Sequence, residues 1–201
     1  MKRILLIVLL CFSWEASGAM AVDPKLEATH NALRALRDGL LDAINKNDID
    51  RQLTFLHTNV VVTWHNAEVS RGREGVRAYY DRLTKGPEKM VEGFSAEVKV
   101  DELTALHGEN TGIAWGGAAE HFKLTNGRSF DLAARWSATL IRENDKWLIA
   151  SLHVSTNIFD NAIITMMKDR VMMLAIAVLL FGLLVGGFIG WRMRRPPRPV
   201  T

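Results

Sequence analysis

The groups in this 201-residue chain that could move a proton are six histidines, 22 carboxylates and two tyrosines. Their spacing narrows the chemistry. His30, His57, His65, His107, His121 and His153 form no H-x-H or H-x-x-x-H pair, and the single Cys11 gives them no thiolate partner, so no metal site is expected. Walker, G-x-G-x-x-G and G-x-S-x-G patterns are absent, which removes nucleotide and acyl-transfer chemistry and implies no cofactor. For a His–carboxylate pair in acid–base work, His153 or His65 with Asp101 or Asp131 are nominal candidates. Strand alternation places Trp147, Ile149, Ser151, His153 and Ser155 on one face of the last extended run. On the preceding run it groups Arg135, Ser137, Thr139 and Ile141. A guanidinium and an imidazole on neighbouring strands could hold a polar or anionic ligand, or form a buried polar pair.

The elements that must position these groups are legible from periodicity. Asp23-Pro24 is a helix start, with Asp as cap and Pro in the first turn, and Leu26, Leu33, Leu36, Leu40 and Ile44 follow on one face. Asp48 can cap a second, short helix through Leu56, and Val60–Trp64 reads as a strand. Gly72 opens a third helix that Gly86-Pro87 stops. Beyond it the period changes to two. Turn signals at His107–Asn110, Asn126-Gly127 and Asn144-Asp145 separate extended runs over 91–106, 111–125, 128–142 and 146–156. Helices first and an antiparallel meander afterwards predict an α+β domain.

Both ends of the chain differ from this middle. Val171 to Trp191 is 21 residues without a charge, about 31 Å as a helix and close to the ~30 Å hydrocarbon core of a bilayer. Arginines 192, 194, 195 and 198 follow at once, and such a basic flank marks the cytoplasmic side. Lys2-Arg3, the apolar stretch Ile4–Phe12 and Ala19-Met20-Ala21 have the pattern of a secretory signal peptide. The organisation expected is a signal peptide (1–21), a domain (22–160), a juxtamembrane helix (161–170), a transmembrane helix (171–191) and a basic tail (192–201). That is a single-pass protein of a bacterial inner membrane, with its domain in the periplasm and its C-terminus in the cytoplasm. The net charge of +3 belongs to the ends: without the six basic residues there and Glu15, Val22 to Arg170 holds 19 basic against 21 acidic residues. Nucleic acid is therefore not an expected partner. Gly182, Gly186 and Gly190 lie four apart and could form a helix-contact face toward an envelope partner.

The order of elements resembles the nuclear transport factor 2-like fold, in particular its SnoaL-like and kinase-association-domain branches. The resemblance rests on the closing hairpin from Asp131 through Arg135, Thr139 and Arg142 to Lys146-Trp147 and His153-Val154-Ser155, and on Gly72-Arg73-Glu74-Gly75. It implies a cone-shaped fold with three N-terminal helices packed on a curved antiparallel sheet, followed here by the transmembrane helix. It further implies that Arg135 and His153, with Ser155, look into the open end of the cone, with Trp64 and Trp115 as apolar wall. It turns Trp136, Leu140, Leu148, Ala150 and Leu152 to the other face, the usual dimer surface. Isomerases of this superfamily set a carboxylate base opposite a tyrosine, whereas Tyr79 and Tyr80 both fall on the third helix. The functions expected are binding of a small ligand or a protein partner at the membrane surface or, alternatively, SnoaL-type lyase or isomerase chemistry in the cone.

Overall fold

A computed structural model describes residues 23–194; the expected signal peptide, Arg195 and Arg198 lie outside them. Helix α1 (Pro24–Asn45) begins as its sequence requires, with Asp23 accepting from the Lys25 amide and Pro24 in the first turn. Helix α2 (Ile49–Thr54) is capped by Asp48, which accepts from the Arg51 amide. Strand β1 (Leu56–Thr63) and the short β2 (Val69–Arg71) then form a hairpin before α3 (Gly72–Thr84). Gly72 takes φ +67° at that junction, where a side chain would be strained. The remaining strands are β3 (Val91–Val100), β4 (Ala105–Leu106), β5 (Thr111–Leu124), β6 (Ser129–Glu143) and β7 (Lys146–Thr156). The β6–β7 turn has φ +49° at Asn144 and +61° at Asp145, the two left-handed residues of a type I′ hairpin.

These strands form one sheet in the order β2-β1-β7-β6-β5-β3, with β4 beside β5. It is an α+β fold with a curved, open and mostly antiparallel sheet. Two expectations are corrected. The third helix is separated from the second by a hairpin, β1 and β2, where a single strand over Val60–Trp64 was expected. The sheet is also not wholly antiparallel: β1 lies parallel to β7. Parallel pairing needs a long crossover, and the chain from α3 through β6 provides it. The expected 91–106 run breaks at residues 101–104.

The core lies between α1–α3 and one face of the sheet. Val60 and Val62 are its most buried large side chains, joined by Leu33, Leu36, Leu53, Val76, Leu140, Trp147 and Ile149. Asn45, the last residue of α1, ties the helix to β3 by donating to the Ala96 carbonyl (3.1 Å) and accepting from the Ala96 amide (2.8 Å). Helix α4 (Ala162–Met193) follows β7 after the five residues 157–161. Asn161 caps it by accepting from the Ile163 and Ile164 amides. No side chain of α4 is buried, and among the described residues it is the one helix long and apolar enough to cross a membrane.

Candidate functional site

The curvature of the sheet leaves a cavity of about 570 Å³ between its inner face and the helices. The floor is strand alternation made visible: Ala114, Ala118, Glu120 and Phe122 of β5 and Trp136, Ala138 and Leu140 of β6 face inward. Helix α1 contributes His30, Leu33 and Leu40, and α3 contributes Val76, Tyr79, Tyr80 and Leu83. The volume is ordinary for a small-molecule site, and a mostly apolar lining with a few polar groups is the usual composition.

The polar groups are few and underused. His65, in the β1–β2 turn, brings Nε2 within 3.0 Å of Glu120 Oε2, and the Glu120 side chain is 7 % exposed. Neither atom completes a hydrogen bond within the protein. A buried carboxylate with an imidazole as its close polar neighbour and no completed hydrogen bond at that oxygen retains capacity to bind a ligand. His30 is equally buried, lines the cavity and has no hydrogen-bond partner among the described residues. Trp64 forms part of the wall with its ring stacked on Tyr79 (4.3 Å between centroids, planes 3° apart) and its Nε1 donating to Ser70 Oγ at 2.8 Å. Burial pushes the Tyr79 phenol above its ordinary pKa, and the charges of Glu68 and Glu120 add to this, so the phenol stays a hydrogen-bond donor at neutral pH.

Of the residues singled out from sequence as site candidates, Trp64, His65 and Asp101 line the cavity. Arg135, His153, Ser155 and Trp115 stand on the outer face of the sheet, and Trp136, Leu140 and Leu152 point into the core. The phase error on β7 has a specific cause. Thr139 pairs with Ser151 but Leu140 pairs with Ile149, so Ala150 is an extra residue. This bulge lets Trp147 and Ile149 face inward and then carries Leu152 and Val154 inward while His153 turns out. On β6 the inner face is Leu132-Ala134-Trp136-Ala138-Leu140, which leaves Arg135 outside. Arg135 and His153 therefore do not converge on a cavity. Arg135 pairs with Asp101 through two hydrogen bonds that hold the Asp101 carboxyl below its ordinary pKa and the guanidinium above its own. Asp131 pairs with His121 at 2.7 Å, on the outer face as well. The carboxylate missed from sequence is Glu120. Its signal was a lone charge in the inward phase of Ala114, Gly116, Ala118 and Phe122. Among the described residues no group of three His, Cys, Asp or Glu side chains could hold a metal ion.

Residues 33–159 match the SnoaL-like domain family. No curated protein matches the chain. Among solved structures, the LinA-type3 hexachlorocyclohexane dehydrochlorinase of Novosphingobium barchaimii superposes with a TM-score of 0.60 at 15 % identity, covering 70 % of this chain and 94 % of that one. A ketosteroid isomerase-like protein of Erwinia carotovora gives 0.56 at 15 % identity, covering 63 % and 94 %. A nuclear transport factor 2-like superfamily protein of Salmonella enterica gives 0.55 at 17 %, covering 65 % and 92 %. At these identities the likeness is one of fold. The chain belongs to the SnoaL-like domain family.

Proposed function

We propose that this SnoaL-like domain is exported, anchored to a membrane by α4, and binds a largely apolar small molecule inside its cone. The observation that carries the reading is the open cavity of about 570 Å³ in which two buried polar atoms, His65 Nε2 and Glu120 Oε2, complete no hydrogen bond within the protein. A domain built only for protein contact has no need of such a void, because an apolar interior otherwise closes to crystal-like density. Anchoring is supported by the apolar 171–191 segment within α4, and orientation by Arg192 and Arg194 at its far end.

A second reading is favoured by the 3.0 Å approach of His65 to Glu120. An imidazole and a carboxylate this close, at an apolar wall beside the Tyr79 donor, could relay a proton from a ligand carbon, as a lyase or isomerase requires. The structural neighbours include a hexachlorocyclohexane dehydrochlorinase and a ketosteroid isomerase-like protein, names of the lyase and isomerase kind.

The test is occupancy of the cone. Wild-type protein should bind the neutral dye N-phenyl-1-naphthylamine with a fluorescence increase, and Ala138→Trp, which fills the floor, should abolish most of it. Unchanged binding in Ala138→Trp would place the dye elsewhere and defeat the cavity as the ligand site. For the second reading, His65→Gln and Glu120→Gln should retain dye binding and lose turnover of any substrate found.

A further inference from the structure

The cavity, lined there by Val91, Phe94 and Phe122, extends to the end of the sheet from which the chain leaves for α4. Strand β7 stops at Thr156, opposite Ala134 of β6; Ala134 stands opposite Ala118 of β5, and Ala118 opposite Val98 of β3. Past that line, in the direction the chain exits, the next inward residues are Leu132, Glu120 and Ala96, and then Phe130, Phe122 and Phe94. These three phenylalanines form one cross-strand row, with ring centroids 5.1 Å apart for Phe122–Phe130 and 4.8 Å for Phe94–Phe122. Phe122, Phe94 and Glu120 all line the cavity. Because β1 runs parallel to β7, with Thr63 opposite His153, His65 lies toward the same end.

The distances match what a membrane-facing mouth needs. The row lies four residues beyond the level of Thr156, about 13 Å along the strands. Helix α4 has nine residues, 162–170, before its uncharged run, also about 13 Å of axis. The connection 157–161 cannot exceed about 17 Å, so the exit end cannot be held far from the bilayer. Between Asn157 and Asp160 in the connection two apolar side chains are bare, Ile158 at 70 % and Phe159 at 84 % exposed, and Met90, next to the cavity-lining Val91, is 58 % exposed. Large exposed aliphatic and aromatic groups next to an anchor are what a protein lays into the interfacial zone.

We infer that the cavity is loaded from the lipid phase: its ligand is a bilayer-soluble molecule with an apolar body and one neutral polar function, and it passes between membrane and cone at the Phe94–Phe122–Phe130 end. The inference rests on the proposed cavity and anchor, and it adds the source and chemical class of the ligand. The polar function would meet His65 and Glu120 just inside the mouth while the apolar body occupies the floor of Ala118, Ala138 and Leu140. A hydroxyl or carbonyl suits that pair, and a carboxylate would be repelled by Glu120.

The experiment uses the full chain reconstituted in phosphatidylcholine vesicles that contain a diazirine-bearing long-chain alcohol. After photolysis, adducts are mapped by peptide mass spectrometry. Expected are adducts on β5 and β6 inside the cone, around Phe122 and Ala138, in addition to those on α4. Met90→Asp, a surface change at the rim, should lower the cone adducts relative to the α4 adducts by roughly fivefold, the equivalent of about 1 kcal/mol. Adducts on α4 alone, or cone adducts indifferent to Met90→Asp, overturn the lipid route. The N-phenyl-1-naphthylamine measurement separates the two levels. Dye bound in an Ala138→Trp-sensitive manner with α4-only adducts removes the route and keeps the cavity, whereas loss of both removes the cavity as well.

Discussion

The two faces of one sheet obey different rules. On the inner face, polar side chains are rare, buried and short of partners: His65 and Glu120 approach without a completed hydrogen bond. On the outer face they are common, exposed and paired, as in Arg135–Asp101 and His121–Asp131. Pairing at the surface contributes little to stability because water already solvates both partners. An unpaired carboxylate under an apolar wall is costly, and a chain retains it where something other than folding uses it. A functional group in this fold is therefore marked by what it lacks, and the better-connected Arg135 is the less informative residue.

Adjacent substitutions on β6 give the largest expected contrast. Trp136→Ala removes an inward indole that packs on the core and donates to the Gly117 carbonyl at 3.0 Å, and should cost about 3–5 kcal/mol in denaturant unfolding of the domain. A loss under about 1 kcal/mol would mean that the inner face is not a packed face at all. A smaller effect of opposite sign sharpens the comparison. Glu120→Gln removes a buried charge without changing shape and should raise stability by roughly 1 kcal/mol. Destabilisation by that variant would recast His65–Glu120 as an architectural pair. The smallest effect is expected on the outer face. Arg135→Met should lower the melting temperature only slightly at pH 7, and the difference has a sign that pH can test. Asp101 has a depressed pKa in the folded state because of Arg135, so its contribution is present above the carboxylate's unfolded pKa and is lost as pH falls through the folded value. The melting curves of wild type and Arg135→Met should converge in acid. A gap that widens on acidification would show that Arg135 acts through some other contact.

Much of the fold was legible. Asp23-Pro24, Asp48 and Asn144-Asp145 act locally, through a cap or a turn whose geometry the residue types themselves prefer, and each sits where its sequence places it. The period-two runs located β5, β6 and β7 to within a residue or two. The site was less legible because it depends on phase. One inserted residue, Ala150, reverses the facing of every later side chain on β7, and nothing in its own identity announces a bulge. The apolar sequence Leu132, Ala134, Trp136, Ala138, Leu140 on β6 did carry the correct phase, and following it would have placed Arg135 outside. The partnership of His65 with Glu120 joins a turn after β1 to the middle of β5, 55 positions apart, and only the closed sheet brings them together.

Asn45 does more than tie a helix down. Its carboxamide presents to Ala96 the same donor and acceptor that another strand would offer, at the outer edge of β3. That edge is thereby occupied at its middle, and the opposite edge, β2, is three residues long. Neither border of the sheet offers the long free backbone on which β-augmentation or edge-to-edge aggregation depends. On the β3 border a single amide side chain stands where the strand of a second copy would pair.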